Sequence, residues 1–339
     1  MNDFWIGTYT GDRGAGQGIY GARRSGNGTL HLTGLAAPQE SPSYLATGRR
    51  GSRLYAVGEG RSSHVRCYAT DASGLRLLAQ ASVPGGACHV AVAPDDRQLV
   101  VSSYTAGCVS FVPLDEHGST GGPQAVAQAS GSGPRKDRQE SPHPHAALLL
   151  TSGLVLSTDL GADKVRIHRR HESSFGLVGE VDMPAGSGPR HLIQHPNGLV
   201  YVLSELDHTI VVLRPTEAGG PAFDTAAVFP ASRLPVEAAS LSAAIKMSPD
   251  GRHLYTSIRG ADIITTHRVA QEDGRLSVVD DVACGGDWPR DLWTDGTWMY
   301  VTNERSHSVT AFRLSRTSGV PELVGQTDVP SPVCIVAST

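Results

Sequence analysis

Ionisable residues recur at two fixed places along this chain. Just before successive apolar runs stand Ser43, Cys88-His89, His143-Pro144-His145, Pro189-Arg190-His191, Ala243-Ala244, Pro289-Arg290-Asp291 and Cys334. Just after a second run in the same units stand Tyr9, Glu59, Tyr104, Asp159, Glu205, Arg259 and Asn303-Glu304. Gathered in one place, imidazoles and carboxylates can move protons. Guanidiniums there can hold an anion, because arginine stays charged and offers forked donors. The same charges could instead tie neighbouring units together as ion pairs. A metal is the other use for so many imidazoles, and on a strand the rings of His143 and His145 would point to one face. No HExxH motif occurs and no HxxxH spacing falls on a helix, while Pro144 and Arg190 favour an anion, so neither a metal nor another cofactor is expected. No GxSxG elbow is present for a serine nucleophile.

These residues need an element that brings seven distant segments together. The first apolar runs start at Tyr44, His89, His145, His191, Ile245, Asp291 and Ile335, giving gaps of 45, 56, 46, 54, 46 and 44 residues. Helical repeats run at about 33 to 34 residues, whereas propeller blades are longer and built of short strands. One unit reads as Tyr44-Leu-Ala-Thr47, a turn at residues 48–51, Leu54-Tyr-Ala-Val57, His64-Val-Arg-Cys-Tyr68 and residues 75–82. That is a four-stranded antiparallel blade. Its first turn recurs as Pro94-Asp-Asp-Arg97, His195-Pro-Asn-Gly198 and Ser248-Pro-Asp-Gly251, residues that accept tight-turn dihedrals.

The last unit stops after one strand, residues 333–339, and the chain begins with three unpartnered runs at residues 4–8, 18–23 and 30–35. Pairing them closes the ring and removes both sheet edges. The expected fold is therefore an all-β, seven-bladed β-propeller spanning residues 1–339 as one domain. First strands line a propeller's channel and second strands run back, so both sets of ionisable residues meet at one channel mouth. Partial desolvation there perturbs acids and bases and makes an unpaired charge costly.

Composition narrows the partners. With 39% hydrophobic and 18% charged residues among 339, the chain can bury a large core. A formal net charge of −4 offers no footprint for nucleic acid or an anionic membrane. No run of about 18 apolar residues occurs, and the N-terminus lacks a basic segment leading into an apolar one. A cytoplasmic protein, a monomer or weak homo-oligomer, is expected. The five cysteines are scattered, without CxxC spacing, as for buried structural thiols.

The chain also resembles a known family, the lactonase-type seven-bladed propellers that include 6-phosphogluconolactonases and carboxymuconate cyclases. The resemblance spans nearly the whole chain. It rests on Ile6-Gly-Thr-Tyr-Thr10, Ser41-Pro-Ser-Tyr-Leu45, Cys88-His-Val90, Arg138-Gln-Glu-Ser-Pro-His-Pro-His145, Asp159-Leu-Gly-Ala-Asp163, Gly186-Ser-Gly-Pro-Arg-His191, Ser204-Glu-Leu206 and Ser248-Pro-Asp-Gly-Arg252. It implies metal-independent hydrolysis of a small anionic sugar lactone, or closure of an unsaturated carboxylic acid to a lactone.

By the same resemblance the working residues are His145, Arg190, Glu205 and Arg259. His145 or Glu205 would be the base, and Arg190 and Arg259 would hold an anion or polarise a carbonyl. Around them, His89, His143, His191, Arg138, Gln139, Tyr104, Asp159, Arg290 and Glu59 are the candidate substrate-binding residues. One departure stands out: Ala244 occupies a place where the family carries a glutamate. Residues 118–140 and 218–241 make the two stretched gaps and could fold over the mouth as lids. A non-catalytic propeller scaffold is the rival reading; it predicts an apolar patch on a rim in place of a polar, convergent pocket.

Overall fold

Seven times the chain lays down four antiparallel strands and moves on to the next sector of a ring. The computed structural model describes residues 3–48, 52–72, 74–170, 175–217 and 220–338. Parts of the anticipated turn at residues 48–51 and of the second insertion, and Thr339, lie outside them. Blades one to six begin with the innermost strands Pro42–Thr47, Ala87–Val92, Pro144–Leu149, Pro189–Gln194, Leu241–Met247 and Pro289–Thr294. Blade seven takes its innermost strand, Pro332–Ala337, from the C-terminus and the other three from the N-terminus. The closing register sets Phe4 opposite Ala337, Trp5 opposite Val336 and Ile6 opposite Ile335.

The core lies between blades. Val57, Val65 and Cys67 of blade one interlock with Val90, Leu99 and Val101 of blade two, all essentially inaccessible to solvent. Each such side chain contributes about 1.5–3 kcal/mol on burial. A tyrosine hook repeats from blade to blade: the hydroxyls of Tyr55, Tyr201, Tyr255 and Tyr300 donate to the carbonyls of Gly118, Gly274, Gly319 and Gly28 at 2.9, 2.7, 3.1 and 2.8 Å. Each acceptor glycine has a positive φ and sits in the hairpin of the next blade.

Every innermost strand carries a β-bulge at its start. The ladders skip Ser43, Cys88, His145, Arg190 and Arg290, skip Val333 in the closing blade, and set Ala243 and Ala244 against Ser257. Bulges re-aim side chains next to functional sites. Here they form one ring, and the following residues, Tyr44, His89, Ala146, His191, Ala244, Asp291 and Cys334, form a second. The apolar-run starts at His145, Ile245 and Ile335 are thus one residue out of phase with their counterparts, because an unpaired bulge residue leaves no mark on the alternation. In three blades the second ring is fixed alike: Thr158, Ser257 and Thr302 hydroxyls accept from the backbone amides of Ala146, Ala244 and Asp291 at 3.0, 3.1 and 3.0 Å.

The two long gaps are only partly insertions. Residues 118–140 include the fourth strand of blade two, Ala125–Gln128, and residues 218–241 include the fourth strand of blade four, Phe223–Pro230. Their weak apolar patterns, exposed on alternate residues, read as loop.

Candidate active site

Bulge and strand end place the ionisable residues opposite one another. Backbone amides of Tyr9, Glu59, Tyr104, Leu160, Glu205 and Glu304 bond back to carbonyls at the entry to the same blade, at 2.8–3.1 Å, and Arg259 pairs with Leu241 at the corresponding place. Those bonds fix a mouth whose side chains come from all seven blades.

Its centre is Glu205. The buried carboxylate accepts from Arg190 Nε and Arg259 Nη2, each at 2.8 Å, and from Arg138 Nη2. Burial would raise this carboxyl, but Arg259, Arg190 and Arg138 outweigh it and hold it well below the usual carboxylate range. Burial in turn pulls Arg259 down to about 10 despite Glu205. Glu205 is therefore a fixed anion that orders three guanidiniums, and a weak base.

His145 differs. It is buried, and its Nδ1 has no hydrogen-bond partner among the described residues. Burial first and the Arg190 charge second keep it neutral, well below the ordinary imidazole range. Its ring lies edge-on to those of His191 and Tyr104, with centroids 5.3 and 5.8 Å away. His191 accepts at Nε2 from Arg190 Nη1 at 3.1 Å and is neutral for the same reasons. His89, pushed down to about 3 by burial, packs against Tyr44 and His191 at centroid distances of 4.2 and 5.7 Å. His143 stacks on Tyr104 at 4.2 Å, its ring nitrogens facing the Tyr104 carbonyl and the Glu140 carboxylate, each at 3.1 Å.

Arg290 and Glu59 join a second cluster in the same mouth. Arg290 lies 3.5 Å from Glu304 and 3.8 Å from Glu59, and Glu59 accepts from Tyr9 and Arg13 at 2.8 Å each. A cleft of about 530 Å³ opens beside it, between Arg13, Glu59, Arg61 and Gly86. Arg13 belongs to the 3-10 turn Gly11–Arg13, which no other blade repeats among the described residues, so no pattern in the sequence points to it.

Two anticipated binding residues are engaged elsewhere. Asp159 accepts from the His143 amide at 2.8 Å and pairs with buried Arg166 at 3.0 Å. Gln139 is fully buried and donates to Leu160 and Asp163 at 2.9 and 2.7 Å. Both hold neighbours in place, Asp159 for His143 and Gln139 for Arg138. Ala244 packs in an apolar cluster with Tyr255, Ile264 and Leu292. One strand turn further along, Lys246 pairs with Asp291 at 3.3 Å. All five cysteines are free and buried.

Fold and mouth define a class: a seven-bladed propeller with an ionisable channel entrance in which cationic side chains outnumber anionic ones. The chain belongs to the lactonase family of seven-bladed β-propellers, whose model, "Lactonase, 7-bladed beta-propeller", matches residues 3–337. It is 31% identical to the 6-phosphogluconolactonase of Bacillus subtilis strain 168, over 98% of this chain and 97% of that one. It superposes on a periplasmic gluconolactonase from Pseudomonas aeruginosa with a TM-score of 0.92 at 25% identity, covering 100% and 99% of the two chains. A Lactobacillus plantarum protein matches with a TM-score of 0.92 at 28% identity, over 99% of each chain. No helix among the described residues is long and apolar enough to cross a membrane.

Proposed function

We propose that this protein hydrolyses a small anionic sugar lactone at the channel mouth, in the manner of a 6-phosphogluconolactonase. The observation that carries the reading is the pairing of a neutral, unpartnered imidazole at His145 with guanidiniums ordered on Glu205. His145 takes a proton from water as the oxygen of that water bonds to the lactone carbonyl carbon. Charge building on the carbonyl oxygen is met by Arg190 and Arg259, already oriented by Glu205, so little reorganisation is needed during reaction. Collapse then breaks the ring C–O bond, and the imidazolium returns its proton to the leaving ring oxygen. The product is the open-chain hydroxy acid.

The charge of the mouth supports an anionic substrate: Arg13, Arg138, Arg190, Arg259 and Arg290 stand against Glu59, Glu205 and Glu304. Large exposed apolar residues weigh against a scaffold, because Leu35, Leu77, Val126, Leu177, Val228 and Leu323 are spread over the outer strands of six blades. Five buried thiols suit a reducing compartment, so the reading keeps the cytoplasm. Lactone formation from an unsaturated acid is the second reading: the substrate carboxylate, held by Arg190 and Arg259, adds an oxygen to its own carbon–carbon double bond while a proton is delivered to the other alkene carbon. Purified protein assayed on 6-phosphogluconolactone, δ-gluconolactone and a carboxymuconolactone separates these; hydrolysis of a sugar lactone above the spontaneous rate supports the first, and turnover of the carboxymuconolactone alone replaces it with the second.

A further inference from the structure

The guanidiniums of the inner mouth are each already held by a carboxylate. Arg138, Arg190 and Arg259 share Glu205, while Arg13 and Arg290 share Glu59 and Glu304. They can polarise a carbonyl, but a doubly charged group on the same substrate calls for an uncommitted cation nearby. One stands just outside the ring of mouth residues, immediately after Glu304.

Arg305 is exposed; its charge acts on nearby Asp287, but the two form no ion pair within 4.0 Å, nor does Arg305 with any other described residue. Its guanidinium carbon sits 3.3 Å over the indole of Trp288. Arg259 also lies over that indole, its guanidinium carbon 5.5 Å from the ring centroid, so the two guanidinium carbons are at most about 9 Å apart. Stacking on an aromatic face restrains a long side chain while leaving its N–H edges available. Trp288 itself has φ +67, an uncommon conformation for a bulky residue that persists only where the surroundings impose it. Those surroundings are present: its amide donates to Asp262 Oδ1 at 2.9 Å, its carbonyl accepts from Glu304 at 3.1 Å, and the Arg305 amide bonds to Asp287 at 3.2 Å. The strained segment thus fixes an indole and an exposed guanidinium, held by stacking rather than by an ion pair, beside the reacting groups.

We infer that Arg305, supported by Trp288, binds the phosphate of a phosphorylated sugar lactone whose ring lies at Arg190 and Arg259. This rests on the lactonase reading and deepens it, since it assigns the substrate anion to a phosphate remote from the carbonyl. Phosphate suits the site because a planar guanidinium can give two parallel N–H bonds to its oxygens. Exposure makes the attraction sensitive to salt.

The test compares 6-phosphogluconolactone with δ-gluconolactone in the parent protein and in Arg305→Gln. The inference predicts that Arg305→Gln raises KM for the phosphorylated lactone about tenfold with kcat retained, leaves δ-gluconolactone unchanged, and removes most of the salt dependence of the phosphorylated KM. Trp288→Leu is predicted to give a smaller shift in the same direction. An equal effect on both lactones, no effect on either, or a parent that does not prefer the phosphorylated substrate overturns the phosphate site while leaving lactone hydrolysis standing. No turnover of either lactone by folded parent overturns the lactonase reading, and this inference with it.

Discussion

Arg190, in the first strand of blade four, and Glu205, immediately after the second, meet at 2.8 Å with both side chains buried. Removing one partner of a buried pair leaves an uncompensated charge, typically at a cost of about 3–5 kcal/mol. Glu205 serves three such partners. Glu205→Gln is therefore predicted to lower thermal stability and to reduce kcat/KM about 100-fold, as loss of oriented charge at a developing oxyanion does. Steady-state kinetics and a melting curve check it; an unchanged kcat/KM in a folded variant would remove Glu205 from the mechanism.

The pH profile follows from the same groups. On the proposed mechanism His145 acts in its neutral form, and burial with Arg190 lowers its pKa, so activity is expected to persist below pH 6.5, where an ordinary imidazole would already be protonated. On the alkaline side Arg259, brought down to about 10, loses its charge. A broad plateau of kcat/KM ending near pH 10 is the expected result. An acid limb centred at 6.5 or above would contradict it.

Stability should respond to acid for a different reason. His89, His145 and His191 have folded pKa values below the unfolded one, so between the two the unfolded chain binds more protons and stability falls as pH drops. The loss begins near pH 6.5 and continues towards about 3, the folded value of His89. The stability contributed by Glu205 is present above the ordinary carboxylate value of about 4.5 and is lost progressively as pH falls from there towards its depressed folded pKa, adding to the histidine loss. Melting temperatures from pH 8 to 4 test this, and a flat curve would contradict it.

Gly161 couples packing to the site. A Cβ there would collide with the Ser141 carbonyl and come within 2.9 Å of the His143 ring and amide. Gly161→Ala is predicted to displace the segment carrying Arg138 to His145, lowering kcat/KM about tenfold or more while the ring remains closed. Far-ultraviolet circular dichroism alongside kinetics distinguishes this from global unfolding.

Ring closure is testable by truncation. Deleting residues 333–339 removes nearly all of the innermost strand of blade seven and exposes the edge of Phe4–Thr8. Loss of cooperative unfolding, with aggregation, is expected. A truncated chain that still melts cooperatively near the parent temperature would show that closure contributes little.

Much of this was legible in the sequence, and the reasons are physical. Repeated alternation and turn residues disclosed the blades, because both are local. The convergence of His145, Arg190, Glu205 and Arg259 followed from knowing which strand ends share a face. The bulges were invisible, since an unpaired residue such as Arg190 or His145 has no partner to reveal it. Asp159 and Gln139 looked like ligand residues, but Asp159 pairs with Arg166 on the adjoining strand of its own hairpin, and the Gln139 bond to Asp163 depends on a loop path that no spacing encodes. Trp288 and Arg305 escaped notice because their contact joins two blade corners.

The central claim, that His145 moves the proton in lactone hydrolysis beside guanidiniums ordered by Glu205, is tested most directly by comparing 6-phosphogluconolactone turnover in the parent, His145→Ala and Arg190→Ala proteins. The account predicts hydrolysis well above the spontaneous rate in the parent and a loss of about 100-fold or more in kcat in each folded variant. Parent-like turnover by folded His145→Ala would contradict it.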